Sequence, residues 1–254
     1  MRDHLDFAVK TAHEAGRLTL GYFQNGVRPE MKPDDTPVTA ADREAETLIR
    51  ARIAEQYPDH AILGEEYGGD IEAGGSHRWI VDPIDGTLAF VRGVPLYAVL
   101  LALEVEGEVE VGAAYFPALD EMLCAATGEG CYLNSRRVEA SRTSTLSESV
   151  VAFTDAKGFE AYGREKEWGR LRSAAKYARG WSDAYGHALV ATGRVEAMFD
   201  PAMNPWDCAP FAPILREAGG YLGDWSGNET IYGGEALSTS RELLPEVLEL
   251  IRGE

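Results

Sequence analysis

Cysteine is scarce in this 254-residue chain: Cys124, Cys131 and Cys208 are the full complement. An odd count without a C-x-x-C pair argues against a disulfide framework and reads as reduced, mostly buried thiols in a cytoplasm. The five histidines (His4, His13, His60, His77 and His187) form no zinc pattern. Long apolar runs are missing as well. The longest, Leu96 to Leu103, falls far short of the roughly 20 residues that a membrane helix needs, and Met1-Arg2-Asp3-His4 opens no apolar signal region. Positive charge is in deficit: 24 Lys and Arg stand against 42 Asp and Glu, a net charge of −18. That balance argues against nucleic acid or an anionic membrane as the main partner. It leaves a phosphate substrate open, provided a bound metal inverts the local field.

What is present suffices for a full core, in one large domain or two small ones. Leu5 to Phe23 has helical spacing, with Leu5, Val9, Ala12, Ala15 and Leu18 on one face and Asp3 placed to cap it. Gly26 to Pro37 is a polar loop carrying Lys32, Asp34 and Asp35, either an active-site flap or a plain connector. A second helix opens at Thr39 and runs to about Tyr57, with Leu48, Ile49 and Ile53 inward. Strands follow at Ala61–Gly64, Trp79–Val81, Leu96–Glu106, Glu108–Phe116, Met122–Ala126 and Gly130–Leu133, with a glycine-rich loop over Gly68–Gly75. After the polar stretch Ser141–Ser149, helices are expected at Phe159–Ala175, Asp183–Thr192, Asp207–Ala218 and Leu243–Arg252. The strands of this half are expected at Val150–Phe153, Val195–Phe199, Tyr221–Trp225 and Ala236–Thr239. Two halves result, 1–140 and 141–254, expected to pack as one unit with the active site between them.

The most informative stretch is Trp79-Ile80-Val81-Asp82-Pro83-Ile84-Asp85-Gly86-Thr87. An apolar strand leads into two carboxylates three residues apart, stiffened by Pro83. Gly86 lets the backbone approach a ligand, and the N-terminus of a short helix over Leu88–Val91 favours an anion at Gly86 and Thr87. Two carboxylates beside an anion site make sense with a hard divalent cation such as Mg²⁺ between them and a phosphate. The alternative is an ordinary Asp-Pro and Asp-Gly turn with capping or solvated aspartates. Three more acids share this ambiguity. Glu65 follows a strand, Asp207 opens a helix, and Asp42 completes a capping box with Thr39.

Taken in order, Val38-Thr39-Ala40-Ala41-Asp42, Gly64-Glu65-Glu66, Asp82-Pro83-Ile84-Asp85-Gly86-Thr87 and Trp206-Asp207-Cys208-Ala209 resemble the motifs of the inositol-monophosphatase superfamily of lithium-sensitive Mg²⁺ phosphatases. The resemblance spans essentially the whole chain. It implies a mixed α/β (α+β) fold, a five-layer αβαβα sandwich, usually dimeric. It also implies two or three Mg²⁺ per active site. Glu65, Asp82 and the Ile84 carbonyl would hold the first ion, and Asp82, Asp85 and Asp207 the second, with a weaker third near Glu65. Gly86 and Thr87 would bind phosphate, and Asp42, Thr87 and Glu65 would orient the attacking water. Departures from the pattern are Ala89 before Phe90 and Pro210, neither of them a proposed ligand; Pro213 is expected to distort its helical turn.

Gly180-Trp181-Ser182-Asp183-Ala184-Tyr185-Gly186, with Phe90–Pro95, Phe199–Asp207 and Asp224–Gly227, is most like the histidinol-phosphate phosphatase branch. Asp183 would attract the cationic groups of histidinol phosphate, and Asp200 corresponds to an acid that contacts the organic part of the substrate in relatives. Asp183 as a helix cap and Asp200 as a turn acid are the structural alternatives. Inositol 1-phosphate or another sugar phosphate is the second choice of substrate. Bisphosphates stand further back because no basic cluster awaits a second phosphate. A regulatory homologue that binds metal without turnover is the non-enzymatic reading, disfavoured because Asp42, Glu65, Asp82, Asp85, Thr87 and Asp207 are all present.

Overall fold

The computed structural model describes residues 1–33, 36–69 and 76–253. Asp34 and Asp35 of the expected flap, and 70–75 of the glycine-rich loop, lie outside the described residues. In chain order, α1 (Arg2–Leu20), β1 (Glu30–Met31), β2 (Pro37–Val38) and α2 (Ala40–Gln56) lead into β3 (Ala61–Gly64), β4 (His77–Asp85) and α3 (Thr87–Val91). Next come β5 (Ala98–Val105), β6 (Glu108–Phe116), β7 (Glu121–Ala126), β8 (Gly130–Leu133) and β9 (Arg136–Arg137). Strands β3 to β9 form one sheet in sequence order, antiparallel except for the β3–β4 pair. The β5–β6 hairpin turns at Glu106-Gly107 as expected, with φ of 51° and 89°. Positive φ at both central residues is the turn whose twist matches that of the flanking strands.

The second half contains β10 (Val150–Phe153), α4 (Gly158–Ala161), α5 (Glu165–Ala174), β11 (Tyr177–Arg179), α6 (Asp183–Ala191) and β12 (Ala197–Asp200). It continues through α7 (Pro205–Cys208), α8 (Phe211–Glu217), β13 (Gly220–Gly223), β14 (Ala236–Ser240) and α9 (Leu244–Arg252). Its sheet has the order β11-β10-β12-β14-β13.

Strand alternation sorts the side chains into three packed layers of core. Trp79, Val81, Leu101 and Val111 face α1 and α2, where Leu5, Ala12, Ile49 and Ile53 are buried. The opposite faces, Ile80, Leu100 and Ala102 from one sheet and Ala152, Met198 and Leu222 from the other, close on α6 and α8. Val151, Phe199 and Leu237 point the other way, onto Phe159, Trp168 and Val247 of α4, α5 and α9. Period-2 strands thus bury both faces between helices, and the result is the expected five-layer αβαβα sandwich.

Several boundaries differ from expectation for local reasons. The helix expected over Phe159–Ala175 is two, interrupted at Gly163 with φ of +73°. The helix expected from Asp207 begins at Pro205 and breaks at Ala209-Pro210, so Pro210 divides it and Pro213 lies inside α8. Pro210 has no N–H to continue the ladder. Asp3 sits in the first turn of α1 rather than capping it, and the short strands β1, β2, β9 and β11 carry too little pattern to be read in advance.

Candidate active site

Strand β4 carries its apolar side chains to Asp82, and there the ladder with β5 slips between Asp82 and Asp85. Pro83 cannot donate to the ladder and is tolerated at such an irregularity. The Ile84 N–H turns back to Asp82 Oδ1 at 3.0 Å. Gly86 follows with φ of +76°, and a Cβ there would lie 3.1 Å from Asp183 Oδ2. The left-handed backbone favours glycine, and a Cβ would press on the Asp183 carboxylate. Helix α3 then starts at Thr87, whose Oγ1 lies 3.0 Å from Ile84 O and 3.3 Å from Asp42 Oδ1, two acceptors that compete for its one hydrogen.

The carboxylates converge from three places in the chain: the end of β4, the turn after β3, and α7. Ligand oxygens of Asp82, Asp85 and Asp207 all lie within 4.8 Å of one another. Glu65, in the turn after β3, is tied in by its N–H to Val81 O at 3.1 Å, and its carboxyl meets that of Asp82. These groups share a cleft of about 440 Å³ with Gly86, Thr87, Asp183 and Asp200. Every site residue expected from the sequence is therefore in one place, with Asp42 directly behind Thr87.

Some structural alternatives hold as well, because a carboxylate has two oxygens. Asp42 Oδ2 accepts the Thr39 N–H at 2.8 Å, completing the capping box of α2, while its Oδ1 serves Thr87. Asp207 is not the cap of its helix but the third residue of α7, where it accepts the N–H of the capping residue Asn204 at 2.7 Å. Asp183 is different. Ser182 occupies the capping position, and Asp183 is the first helical residue with φ of +55°, a conformation rare outside glycine. Its N–H donates to Thr154 Oγ1 at 3.0 Å, and the next N–H, of Ala184, donates to Asp85 Oδ2 at 2.8 Å.

Burial, then the surrounding carboxylates, push Asp82 and Asp85 well above the usual carboxylate range. Burial is also the leading reason that Asp183 and Asp207 are pushed up to about 6. Buried acids that raise one another in this way lack a counter-charge. Lys32 reaches only the rim, with Nζ 2.8 Å from Glu65 Oε1 and 2.6 Å from Glu66 Oε1. Its ammonium is held above its ordinary pKa; its burial opposes this, and the two glutamates outweigh it. An all-oxygen donor set, buried and short of positive charge, fits a hard divalent cation and offers no soft ligand.

Three contributors escaped sequence reasoning. Glu46 is buried on α2 and accepts the N–H groups of Glu66 at 2.8 Å and Tyr67 at 3.3 Å, which shapes the turn holding Glu65. A Cβ on Gly64 would sit 2.0 Å from Glu46 Oε1, so this contact also explains that glycine. The signal was available: Asp42, Glu46, Ile49 and Ile53 share one helical stripe, and an acid on an inward stripe calls for a partner. Thr154 and His187 had no comparable signal, since their partners are distant in sequence.

The family model described as the inositol monophosphatase family matches residues 1–252. A histidinol-phosphatase of Chlorobaculum parvum is 44% identical over 245 residues, covering 96% of this chain and 94% of that protein. A histidinol-phosphatase of Mycobacterium tuberculosis is 36% identical over 252 residues, covering 97% and 96%. Among solved structures, a Thermotoga maritima IMPase superposes with a TM-score of 0.89 at 32% identity, covering 98% of this chain and 97% of that one. The acidic cleft and its ordered motifs thus sit in a frame shared from end to end with these phosphatases, and the chain belongs to the inositol monophosphatase family.

Proposed function

We propose that this chain is a Mg²⁺-dependent phosphomonoesterase that hydrolyses histidinol phosphate to histidinol and phosphate, acting as a cytoplasmic homodimer. The observation that carries the substrate choice is the pair Asp183 and Asp200, two acids beyond the metal-type cluster that line the same cleft. A neutral polyol phosphate could offer them only hydroxyl hydrogen bonds, whereas an ester carrying an ammonium and an imidazole adds charge complementarity. The names of the two relatives above support the same choice. Residues 1–140 would supply most of the metal chemistry, and 141–254 Asp207 and the selectivity residues.

Glu65, Asp82 and the Ile84 carbonyl would hold one Mg²⁺, and Asp82, Asp85 and Asp207 a second, with a third, weaker ion near Glu65. Mg²⁺ bound there supplies Lewis-acid chemistry, acidifying water and offsetting charge on phosphoryl oxygens. The chain's own groups do the rest. The first N–H groups of α3, at Gly86 and Thr87, lack partners inside the helix and bind phosphate oxygens. With the Ile84 carbonyl given over to the metal, the Thr87 hydroxyl hydrogen would go to Asp42 Oδ1, which turns the Oγ1 lone pairs toward the attacking water. Thr39 holds Asp42 in place through Oδ2. Glu65 would orient the same water. The water oxygen forms the new bond to phosphorus, the ester oxygen leaves, and a proton from water completes the alcohol.

Phosphate release under Mg²⁺ tests this reading, comparing histidinol phosphate, myo-inositol 1-phosphate and fructose 1,6-bisphosphate by kcat/KM. A preference of about a hundredfold or more for histidinol phosphate is expected, the discrimination available to a site with matched polar contacts. A preference for inositol phosphate would keep the phosphatase and return Asp183 and Asp200 to structural roles. Binding without turnover of any ester would make the chain a regulatory homologue.

A further inference from the structure

Behind Asp200 lies a polar contact that neither the metal-type cluster nor the phosphate site uses. His187 is fully buried, and both ring nitrogens are engaged. Its Nδ1 is 2.6 Å from Ser238 Oγ, and its Nε2 is 3.1 Å from Asp200 Oδ2. Three elements meet there. His187 stands on α6 one turn after Asp183, Asp200 ends β12, and Ser238 lies in the neighbouring β14, directly opposite Met198. The Phe211 ring of α8 closes the far side, its centroid 5.3 Å from the imidazole.

The chemistry gives this line a direction. An ionised carboxylate only accepts hydrogen bonds, so Nε2 carries the ring hydrogen and Nδ1 accepts from the Ser238 hydroxyl. Ser238 thus donates to His187, and His187 donates to Asp200. A buried carboxylate without a donor is costly and would turn away to find one. The turn that carries His187 also carries Asp183, so one rigid helix places the first acid of the cleft directly and the second through its imidazole.

We propose that His187 is a positioning residue for substrate selectivity, holding the Asp200 carboxylate in the pose that receives the cationic organic group of the phosphate ester. The proposal rests on the reading of Asp200 as a substrate contact. His187 itself touches neither the ester nor the metal-type cluster.

The test uses the full-length protein with Mg²⁺ and two esters, cationic histidinol phosphate and neutral glycerol 2-phosphate. His187→Met is expected to lower the ratio of their kcat/KM values about tenfold or more, through KM for histidinol phosphate, with kcat within about threefold. His187→Gln, whose amide can still donate to Asp200, is expected to recover most of the ratio. Combining His187→Met with Asp200→Asn should lose no more selectivity than Asp200→Asn alone, because both act through one carboxylate. If His187→Met does not fold, as judged by a thermal melt, Ser238→Ala carries the test. It removes only the donor to Nδ1 and should lower the same ratio severalfold. Equal losses on both esters, or losses that multiply with Asp200→Asn, would overturn the proposal and leave His187 a core residue. A wild-type protein that treats the two esters alike would instead overturn the substrate reading itself, and the proposal with it.

Discussion

Asp85 Oδ2 accepts the backbone N–H of Ala184 at 2.8 Å across 99 residues of sequence. One carboxylate thus belongs to the metal-type cluster and also pins the start of α6, the helix that presents Asp183. The acidic cluster and the turn that carries Asp183 are joined by a direct hydrogen bond.

Asp85→Asn separates these duties. The amide oxygen can still accept from Ala184, while the ligand charge is gone. The fold should persist by circular dichroism, and kcat under Mg²⁺ should fall by more than about a hundredfold, since even partners outside a metal's first ligands cost up to that much. Near-normal turnover would remove Asp85 from the metal site.

Stability should depend on pH and Mg²⁺ together. The folded-state pKa values of Asp183 and Asp207, pushed up to about 6, lie above the ordinary 3.8 of an unfolded aspartate. Between about pH 4 and 6 the folded state therefore binds more protons than the unfolded state. Stability of the metal-free protein falls as pH rises through that window, and the loss is complete above it. For one such carboxylate the loss is on the order of 3 kcal/mol. Mg²⁺ needs the ionised acids, so its effect on Tm, measured after chelation and re-addition, should be larger at pH 7.5 than at pH 5. An equal Mg²⁺ increment at both pH values would count against the cluster as the cation site.

Thr87→Val keeps shape and removes the hydroxyl that bridges to Asp42. A fall in kcat of about 10²-fold or more is expected, the usual scale for a positioned proton acceptor, with KM little changed. Thr87→Ser should restore most of the activity. Failure of Ser to do better than Val would assign Thr87 to α3 packing alone.

Asp183→Asn is a cleaner probe than alanine, because asparagine tolerates the left-handed backbone recorded at this position whereas alanine adds strain. KM for histidinol phosphate should rise about tenfold or more, while a neutral phosphate ester changes little. Comparable losses on both esters would make Asp183 a structural residue.

Glu46→Ala should leave the N–H groups of Glu66 and Tyr67 without their acceptor. A loss of about 1–3 kcal/mol in chemical denaturation is expected for such a buried contact, together with weaker half-saturation by Mg²⁺ because Glu65 loses its support. Unchanged Mg²⁺ dependence would confine Glu46 to stability.

Much of the site was legible because its chemistry is local in sequence. Asp82-Pro83-Ile84-Asp85-Gly86-Thr87 folds into a strand end, a slipped ladder and a left-handed glycine, each dictated by residues within six positions. The capping box of Thr39 with Asp42 is likewise local, closed within four residues. Period-2 and period-3.6 patterns marked the long strands and helices. They failed where a single glycine or proline split a helix, at Gly163 and Pro210, because a periodicity window averages over such a break.

Sequence alone determined the ligand-type residues, the alternation of layers and the acidic, cysteine-poor character of the protein, all set by covalent order and composition. Only the tertiary structure decided which carboxylates share a cavity, how Asp183 reaches φ of +55° beside Gly86, and that Glu46 and His187 stand behind the groups facing the cleft. Those relations join residues from 13 to 99 positions apart. They arise when burial removes water and each polar group must find its partner across the chain.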